Sequence, residues 1–389
     1  MAAPALTRTQ LNRATLARQM LLEREPVGAT TAVERLAGMQ AQEPRHPFTG
    51  LWTRCEDFER EQLLRALRER RVVRATLMRS TLHLMSAADY AALRMALQPS
   101  MSVALRVLGA RSTGLDLDAV LPAARELLHD NPLPFDDIRK HLQERFPDVD
   151  DRALGYAVRT LVPLVMVPGE GERWGFARVA SFALADEFLD EPLAEEGTEA
   201  LVERYLAAFG PASAKDVQTW SGVGGMKTVL DGMRERLEVL TEEGSRRELF
   251  DLPGAPRPDP DVPAPPRFLP EFDNLVLAHD DRSRVIAAEH RPLVTTKNLR
   301  VKATFLLDGV VAGTWSIEVK RKLATLTLAP FASLPKHARA QLDAEAEALL
   351  RFAEPDAKAW DVQLAQGPAR VGPTAGGRTA RAPRAGSSR

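Results

Sequence analysis

The sequence predicts a mostly helical α+β protein with three tandem winged-helix (helix-turn-helix) modules and a C-terminal antiparallel β-barrel-like domain. Two observations predict this class. Three successive stretches share one outline, in which helices, a turn marked by Gly or Pro and a further helix precede a short pair of strands. Beyond a proline-dense connector, the pattern changes to short strand-like runs separated by turn residues. With 389 residues, of which 44% are hydrophobic, the chain is long and apolar enough for several cores.

The repeated outline sets the predicted domain boundaries, because each module begins at its first helix and ends with its pair of strands. The predicted units are a first winged helix at residues 6–110, a second at 111–195, a third at 196–252, a connector at 253–270, the β-barrel-like domain at 271–365 and a disordered basic tail at 366–389.

The first module contains two neighbouring glutamines in the stretch "GMQAQEPRHP". Apolar residues before them repeat at intervals of three, as on the buried stripe of an amphipathic helix: Val33, Leu36 and Met39. A continuing helix would place Gln40 on the same stripe, whereas Pro44 and Pro47 forbid a regular continuation and predict a turn at Gln42. Since a buried amide without partners is costly, the two glutamines are either satisfied structurally or kept for a ligand.

Each module ends in a predicted pair of strands. In the first module, "VVRATLM" and "TLHLM" are separated by "RS", which predicts a hairpin. In the second, "GEG" marks a turn within "VMVPGEGERWGFARV", and the third ends in "EVLTEEGSRRELFDL".

The C-terminal domain is predicted from five strand-like runs: "NLVLAH", "RVIAA", "ATFLLDG", "VVAGTWSIEV" and "ATLTLAP". One amphipathic helix, "LPKHARAQLDAEAEALLRFA", closes the domain. The tail from Gln366 carries five Arg and no acidic residue, which favours weak, non-specific affinity for phosphate.

Composition excludes several classes of protein. No stretch approaches 18 consecutive apolar residues and the N-terminus lacks a signal-peptide core, so we expect a soluble, cytoplasmic, nucleoid-associated protein without membrane contact. The single cysteine, Cys55, permits no internal disulfide and is predicted to be a buried or idle thiol. The sequence has no P-loop, dinucleotide fingerprint, zinc-type spacing or sustained heptads, so we expect no cofactor, no metal and a monomer.

The net charge of −1 hides an uneven distribution of charge. Residues 1–110 contain 16 Arg and no Lys against 10 acidic residues, an excess of +6. Residues 279–323 contain 9 basic against 5 acidic residues, an excess of +4. Two basic lobes around an acidic middle indicate a polyanion that particular surfaces hold.

Several stretches together resemble the winged-helix DNA glycosylases of the AlkZ and YcaQ type: "GMQAQEP" with "FTGLW", "RSTLHLMSAADY", "FLPEFDNLVLAHDDRSRVI" and "DGVVAGTW". The resemblance extends from about Leu6 to Trp360 and implies a curved scaffold of three winged helices with a β-barrel-like domain, around a channel for double-stranded DNA. The catalytic signature of that family is Gln, a small or apolar residue, then Gln or Asp. Gln40-Ala41-Gln42 matches the Gln-x-Gln branch, which makes Gln40 and Gln42 the predicted catalytic residues.

The chemistry of an amide suits one class of substrate. An amide offers an acceptor and two donors but little basicity, so it suffices only where the leaving group already departs easily. A guanine alkylated at N7, or an adenine alkylated at N3, carries a positive charge and leaves as a neutral base. The resemblance further implies bulky adducts and interstrand crosslinks. Glu43, which directly follows the pair, is a rival for the acid–base role, although its position could equally point to solvent.

The predicted DNA-binding residues fall into two groups. Those around the first hairpin are Arg70, Arg71, Arg74, Arg79 and His83, and those in "AHDDRSR" are His279, Arg282 and Arg284. We expect His279 to reach the minor groove and Arg282 to hold the backbone. Two alternatives stay open: a non-catalytic winged-helix transcriptional regulator that binds DNA, and a protein-interaction scaffold, which would leave the two basic lobes unexplained.

Overall fold

The computed structural model describes residues 4–296 and 300–365, and the predicted tail at 366–389 lies outside this range. The described chain is an α+β fold in which helices surround three separate sheets. The helices are α1 Arg8–Arg18, α2 Ala29–Arg35, α3 His46–Trp52, α4 Arg60–Arg68, α5 Ala87–Leu93, α6 Gln98–Ala104, α7 Leu117–Leu128, α8 Phe135–Arg145, α9 Asp151–Leu161, α10 Ala185–Phe188, α11 Thr198–Phe209, α12 Ala214–Ser221, α13 Met226–Gly232, α14 Arg291–Val294 and α15 Lys336–Ala353.

The strands are short in the helical part of the chain and longer towards its C-terminal end. They are β1 Ala5–Leu6, β2 Met39–Gln40, β3 Val72–Thr76, β4 Leu82–Ser86, β5 Leu133–Pro134, β6 Leu164–Met166, β7 Ser181–Leu184, β8 Glu238–Glu242, β9 Glu248–Asp251, β10 Arg267–Leu269, β11 Thr304–Leu307, β12 Val310–Lys320, β13 Leu323–Pro330 and β14 Ala359–Leu364.

The three predicted strand pairs are present and antiparallel: β3 with β4, β6 with β7, and β8 with β9. The second strand of the middle pair begins at Ser181, so the run "RWGFARV" before it is irregular rather than extended. Strands β3 and β6 also pair with each other. We call the three predicted modules, residues 6–110, 111–195 and 196–252, the first, second and third segments. The first two segments therefore share one six-stranded sheet in the order β2-β4-β3-β6-β7-β5. The predicted boundary at residue 110 thus divides two segments that are joined by backbone hydrogen bonds.

The C-terminal domain contains a five-stranded sheet in the order β10-β11-β12-β13-β14. Strands β10 and β14 are its two edges, so the sheet is open and the predicted barrel closure is not confirmed. Helix α15 covers one face through Leu342, Ala346 and Leu349, which belong to the same buried cluster as Phe268 and Phe305.

Two predicted strands of this domain are wrong. The run "NLVLAH" forms a 3-10 turn at Asn274–Val276, which the Asp273 side chain caps by accepting a hydrogen bond from the backbone N–H of Leu275. The run "RVIAA" is irregular, although Val285 and Ile286 are buried. A short apolar run that is buried on all sides has no periodicity that separates a strand from a compact turn.

Helix α1 lies between the third segment and the C-terminal domain. Its Arg18 side chain forms a buried bidentate ion pair with Asp251, with nitrogen–oxygen distances of 2.7 and 2.9 Å. On the same helix, the Asn12 amide donates to the carbonyls of Arg284 and Gly309. The helix therefore fixes the C-terminal domain against the helical scaffold.

Candidate functional site

The two glutamines lie in a strand and the bend that follows it, and not on a helix. Helix α2 ends at Arg35, and Ala37 and Gly38 then adopt positive φ values of 52° and 83°. A Cβ atom at position 38 would lie 2.9 Å from the carbonyl oxygen of Leu84, so the chain can approach β4 this closely only with glycine. The predicted helical stripe therefore stops before Gln40, which lies in β2 opposite His83.

The predicted turn at Gln42 is present, and its side chain is exposed. The Ala41 N–H donates to the carbonyl oxygen of Leu82 at 2.8 Å, and the Leu82 N–H donates to Gln42 Oε1 at 3.3 Å. Strand β4 thus binds the Gln-x-Gln segment twice, through the backbone N–H of Ala41 and through the side-chain oxygen of Gln42.

Arg79 holds the other amide oxygen. Its guanidinium donates from Nη2 to Gln40 Oε1 at 3.0 Å and from Nη1 to the backbone carbonyl of Trp220. Arg79 adopts a left-handed backbone with φ 54° and ψ 25° in a 3-10 turn at Met78–Ser80. Burial, with a further contribution from Arg282, lowers the pKa of Arg79 to about 10, so the guanidinium stays charged at neutral pH.

A second arginine holds the backbone of the glutamine segment. The Arg74 side chain donates from Nε to the Ala41 carbonyl at 2.9 Å and from Nη2 to the Gln42 carbonyl at 3.1 Å. Its guanidinium lies over the ring of Phe176 at 5.1 Å. Arg74 is buried and therefore stabilises the Gln-x-Gln segment from behind instead of facing solvent.

Both amide oxygens accept hydrogen bonds from the protein, whereas neither amide nitrogen donates one to any residue that the structure describes. An arginine and a backbone N–H can only donate, so these contacts also fix which end of each amide is oxygen. The arrangement leaves the N–H groups of both glutamines available to a ligand.

The glutamines line a cleft of about 720 Å³ between the first segment and the C-terminal domain. Its walls are formed by Gln40, Gln42, Glu43, Arg79, Thr81, Glu271, Phe272, Leu277, Arg282, Thr295, Arg300 and Val301. Arg300 forms a bidentate pair with Glu271 at 2.9 and 3.0 Å. Within the described ranges, Arg79 and Arg282 have no carboxylate within 4 Å, so two cations of the cleft wall lack an acidic partner, and Arg79 is the one that contacts Gln40.

The other predicted DNA-binding residues are distributed differently. Arg70 and Arg71 are exposed but lie outside the cleft, where Arg70 stacks on Phe188 and Arg71 pairs with Glu69 and donates to Thr30. These two arginines remain predicted DNA contacts.

The burial of their side chains argues against four predicted DNA contacts: Arg74, described above, and His83, His279 and Arg284. His83 contacts the Thr81 carbonyl, and burial together with the charge of Arg79 lowers its pKa to about 3. His279 contacts the Phe209 carbonyl, and burial together with the charge of Arg284 lowers its pKa to about 3. Arg284 donates to the carbonyl of Pro211 at 2.9 Å. The hydrophilic appearance of "AHDDRSR" hid the burial of its two ends, Ala278 and His279 at one and Arg284 at the other.

Several cleft residues carried no chemical signal in the sequence. Glu271, Phe272 and Arg300 were marked only by the resemblance of the run "FLPEFDN" or by the basic lobe as a whole. Phe272 has a positive φ of 61°, a strained conformation that no sequence pattern reveals.

The thiol and the candidate metal ligands lie away from this chemistry. Cys55 is buried, as predicted, and burial raises its pKa to about 11. In the described part of the chain, one group of side chains has ligand atoms close enough to share an ion: His129, Asp130 and Glu187. All three are exposed, and none lines the cleft. Among the described residues, no helix is long and apolar enough to cross a membrane.

Comparisons with known proteins agree with this architecture. The family model for DNA glycosylase AlkZ-like proteins matches residues 33–352, a range that includes both glutamines and the whole cleft. The interstrand DNA cross-link repair glycosylase of Streptomyces sahachiroi is 25% identical over 323 residues, which cover 77% of this chain and 85% of that protein. The solved structure of the Streptomyces sahachiroi DNA glycosylase AlkZ superposes with a TM-score of 0.77 at 21% identity, covering 93% of this chain and 100% of that chain.

The class of the protein is therefore DNA glycosylase, an enzyme that cleaves the bond between a base and its sugar. Within this class, the chain belongs to the AlkZ-like family.

Proposed function

We propose that this enzyme hydrolyses the N-glycosidic bond of bulky or cationic alkylpurines in double-stranded DNA, with water as the nucleophile. Its substrates would be N7-alkylguanine and N3-alkyladenine. The observation that carries the proposal is the pair of amides at the mouth of one cleft, each with its oxygen held and its N–H groups free.

The charge of the substrate explains why amides suffice. A base that carries a formal positive charge leaves as a neutral molecule, so the enzyme needs no strong general acid. What remains is to place water against the sugar and to shield the developing cation. An amide performs the first task because each carbonyl oxygen has two lone pairs, only one of which the protein uses.

The two glutamines would divide this work. The second lone pair of Gln42 Oε1 accepts a hydrogen bond from water and orients it, since Gln42 is the exposed member of the pair. The free N–H groups of Gln40 donate to an oxygen of the sugar or of the adjacent phosphate. Glu43 lines the same cleft and is the alternative base if a stronger one is needed.

The cleft also offers a place for the DNA backbone. Arg282 is half-buried in the wall opposite Gln42 and, within the described residues, forms no ion pair. We assign it to a phosphate contact, and we expect one chain to suffice because a single chain provides all of these residues.

The relative from Streptomyces sahachiroi is described as an interstrand cross-link repair glycosylase. We extend this activity to the present enzyme. A cleft of about 720 Å³ is within the range of sites that hold drug-sized ligands, so it offers room for more than one purine ring.

The test compares base release from duplexes that contain one N7-methylguanine or one uracil. We expect release of methylguanine and little or no release of uracil, whose departure would require protonation. Gln42→Ala should lose base release while DNA affinity changes little, because one amide adds little to a wide phosphate footprint. Gln62→Ala, an exposed glutamine on α4, is the matched control and should behave as wild type.

Two results would count against the proposal. Equal rates on uracil and methylguanine would require a real general acid–base residue, with Glu43 first. Tight binding of DNA without release of either base would instead support the non-catalytic regulator.

A further inference from the structure

We propose that Arg79 is a positioning residue, which fixes the Gln40 carboxamide so that its N–H groups face the substrate. This inference rests on the proposed function, because it assigns the reason why Gln40 acts as a donor. It also changes the role that the sequence predicted for Arg79, from a phosphate contact to a contact with the catalytic segment.

The first observation is the direction of the hydrogen bond. A guanidinium has no acceptor, so the atom of Gln40 that lies 3.0 Å from Arg79 Nη2 must be the amide oxygen. Rotation of the amide by 180° would bring two N–H groups against a cation. Arg79 therefore selects one of two orientations that are nearly equal in shape.

The second observation is that Arg79 is itself held on both sides. Its Nη1 donates to the carbonyl of Trp220, at the end of α12 in the third segment, while its backbone is fixed in the turn between β3 and β4. Arg79 and Ser80 both have positive φ values, of 54° and 58°. Non-glycine residues in this conformation are strained, and they persist only where the surrounding structure requires them.

The third observation separates Arg79 from the other arginine of the cleft. Arg282 donates only to the carbonyl of its neighbour His279, at a long distance of 3.4 Å, and its remaining N–H groups are available to a phosphate. Arg79 instead uses both terminal nitrogens on the protein. The two cations of the cleft wall thus have different tasks, Arg79 in orientation and Arg282 in binding.

A double-mutant cycle tests the assignment. Single-turnover base release from N7-methylguanine duplex is measured for wild type, Arg79→Met, Gln40→Ala and the double variant. We expect Arg79→Met to slow release by about ten- to a hundredfold, the usual effect of losing a group that orients a catalytic residue. In the Gln40→Ala background, the same change should add no further loss, because its target is already absent.

Two further measurements distinguish positioning from phosphate binding and from misfolding. Binding of undamaged duplex at several salt concentrations should keep the wild-type slope in Arg79→Met, since a lost phosphate contact would lower the slope by about one unit. The side-chain NH₂ resonance of Gln40, assigned by its disappearance in Gln40→Ala, should shift in Arg79→Met and stay near its wild-type position in Arg79→Lys. Arg79→Lys keeps one donor and should release base at an intermediate rate. Arg145→Met, an exposed arginine on α8, is the matched control.

Each contrary result has a distinct meaning. Wild-type release by Arg79→Met, an equal loss in both backgrounds of the cycle, or a salt slope lowered by one unit would overturn the positioning role alone. Wild-type release by Gln40→Ala would overturn the catalytic assignment of Gln40 and the positioning role with it. If Arg79→Met does not fold, Arg79→Lys and the Gln40 resonance decide between the same outcomes.

Discussion

Arginine side chains act inside this protein as much as on its surface. Of the 16 arginines in residues 1–110, eight lie within 4 Å of a carboxylate: Arg8, Arg13, Arg18, Arg24, Arg35, Arg54, Arg68 and Arg71. Arg74 instead donates to backbone carbonyls of the Gln-x-Gln segment. Half of the arginines of the basic lobe are therefore paired with carboxylates of the protein itself, which reduces the charge that the lobe offers to DNA.

Buried histidines give the protein a defined sensitivity to acid. Burial is the main cause that lowers the pKa of His46 to about 4 and the pKa values of His83 and His279 to about 3. In the unfolded chain these groups titrate near pH 6.5. Below that pH these histidines are protonated in the unfolded state but not in the folded state. The free energy of unfolding therefore falls as the pH falls from about 6.5 towards about 4.

We therefore expect a loss of about 1.4 kcal/mol per pH unit for each buried histidine across this window. Urea unfolding at pH 7, 6 and 5 measures the slope. His83→Asn retains a donor for the Thr81 carbonyl and cannot take up a proton in this range. Its free energy of unfolding should therefore fall less steeply with pH, by the contribution of one histidine. An unchanged slope in this variant would show that His83 does not contribute.

The elements show which parts of the fold local signals encode. The hairpin of β3 and β4 is encoded by two β-rich runs around a short turn, and α15 is encoded by a long amphipathic pattern. The contact between Arg79 and the Trp220 carbonyl joins residues 141 positions apart, and no local pattern marks it. The family resemblance could therefore single out the Gln-x-Gln pair, but no sequence pattern marked the contacts that hold it, because those groups meet only in the folded chain.

The turn between β11 and β12 is favoured by its local sequence and is also packed against residues distant in the chain. Asp308 and Gly309 have positive φ values of 46° and 75°, the geometry that an Asp-Gly pair favours in a two-residue hairpin. In the folded protein this turn also packs against α1. A Cβ atom at position 309 would lie 2.4 Å from Leu16 Cδ1 and 2.7 Å from Asn12 Oδ1.

We expect Gly309→Ala to destabilise the protein in two ways. The left-handed backbone costs about 1–2 kcal/mol for a residue with a Cβ, and the close contacts with α1 add about 1–3 kcal/mol. Gly244→Ala is the matched control, since Gly244 has a φ of 73° in the β8–β9 turn with no atom within 4 Å of the new Cβ. Equal losses in urea unfolding would show that α1 yields to the added methyl group at no cost.

At the scale of the whole molecule, α1 is the element that joins distant parts. It contacts the third segment through Arg18 and the C-terminal domain through Asn12 and Arg13. The cleft has one wall in the first segment and the other in the C-terminal domain, so its width depends on these contacts. A change at α1 should therefore affect the site without touching it.

Arg18→Met tests the structural role of α1. The variant leaves the Asp251 carboxylate buried without its bidentate partner, and such a loss typically costs about 3–5 kcal/mol. Adding Asp251→Asn removes the buried charge, which would otherwise keep only the more distant Arg257 at 3.8 Å, and should recover part of the loss. Arg351→Met, which breaks an exposed pair with Glu347, should cost less than about 1 kcal/mol. Urea unfolding measures all three, and an equally small effect of Arg18→Met and Arg351→Met would contradict the structural role of α1.

The contacts of α1 can form only after most of the chain has been synthesised. Asn12 donates to a carbonyl 272 positions further along the chain and to another 297 positions further along. At about 5–20 residues per second, the ribosome needs roughly 14 to 54 s to produce the first of these partners after Asn12 itself. During that interval the glutamines of the Gln-x-Gln segment already exist, but the opposite wall of their cleft does not. We therefore expect a nascent chain to lack the complete cleft until most of its length has been translated.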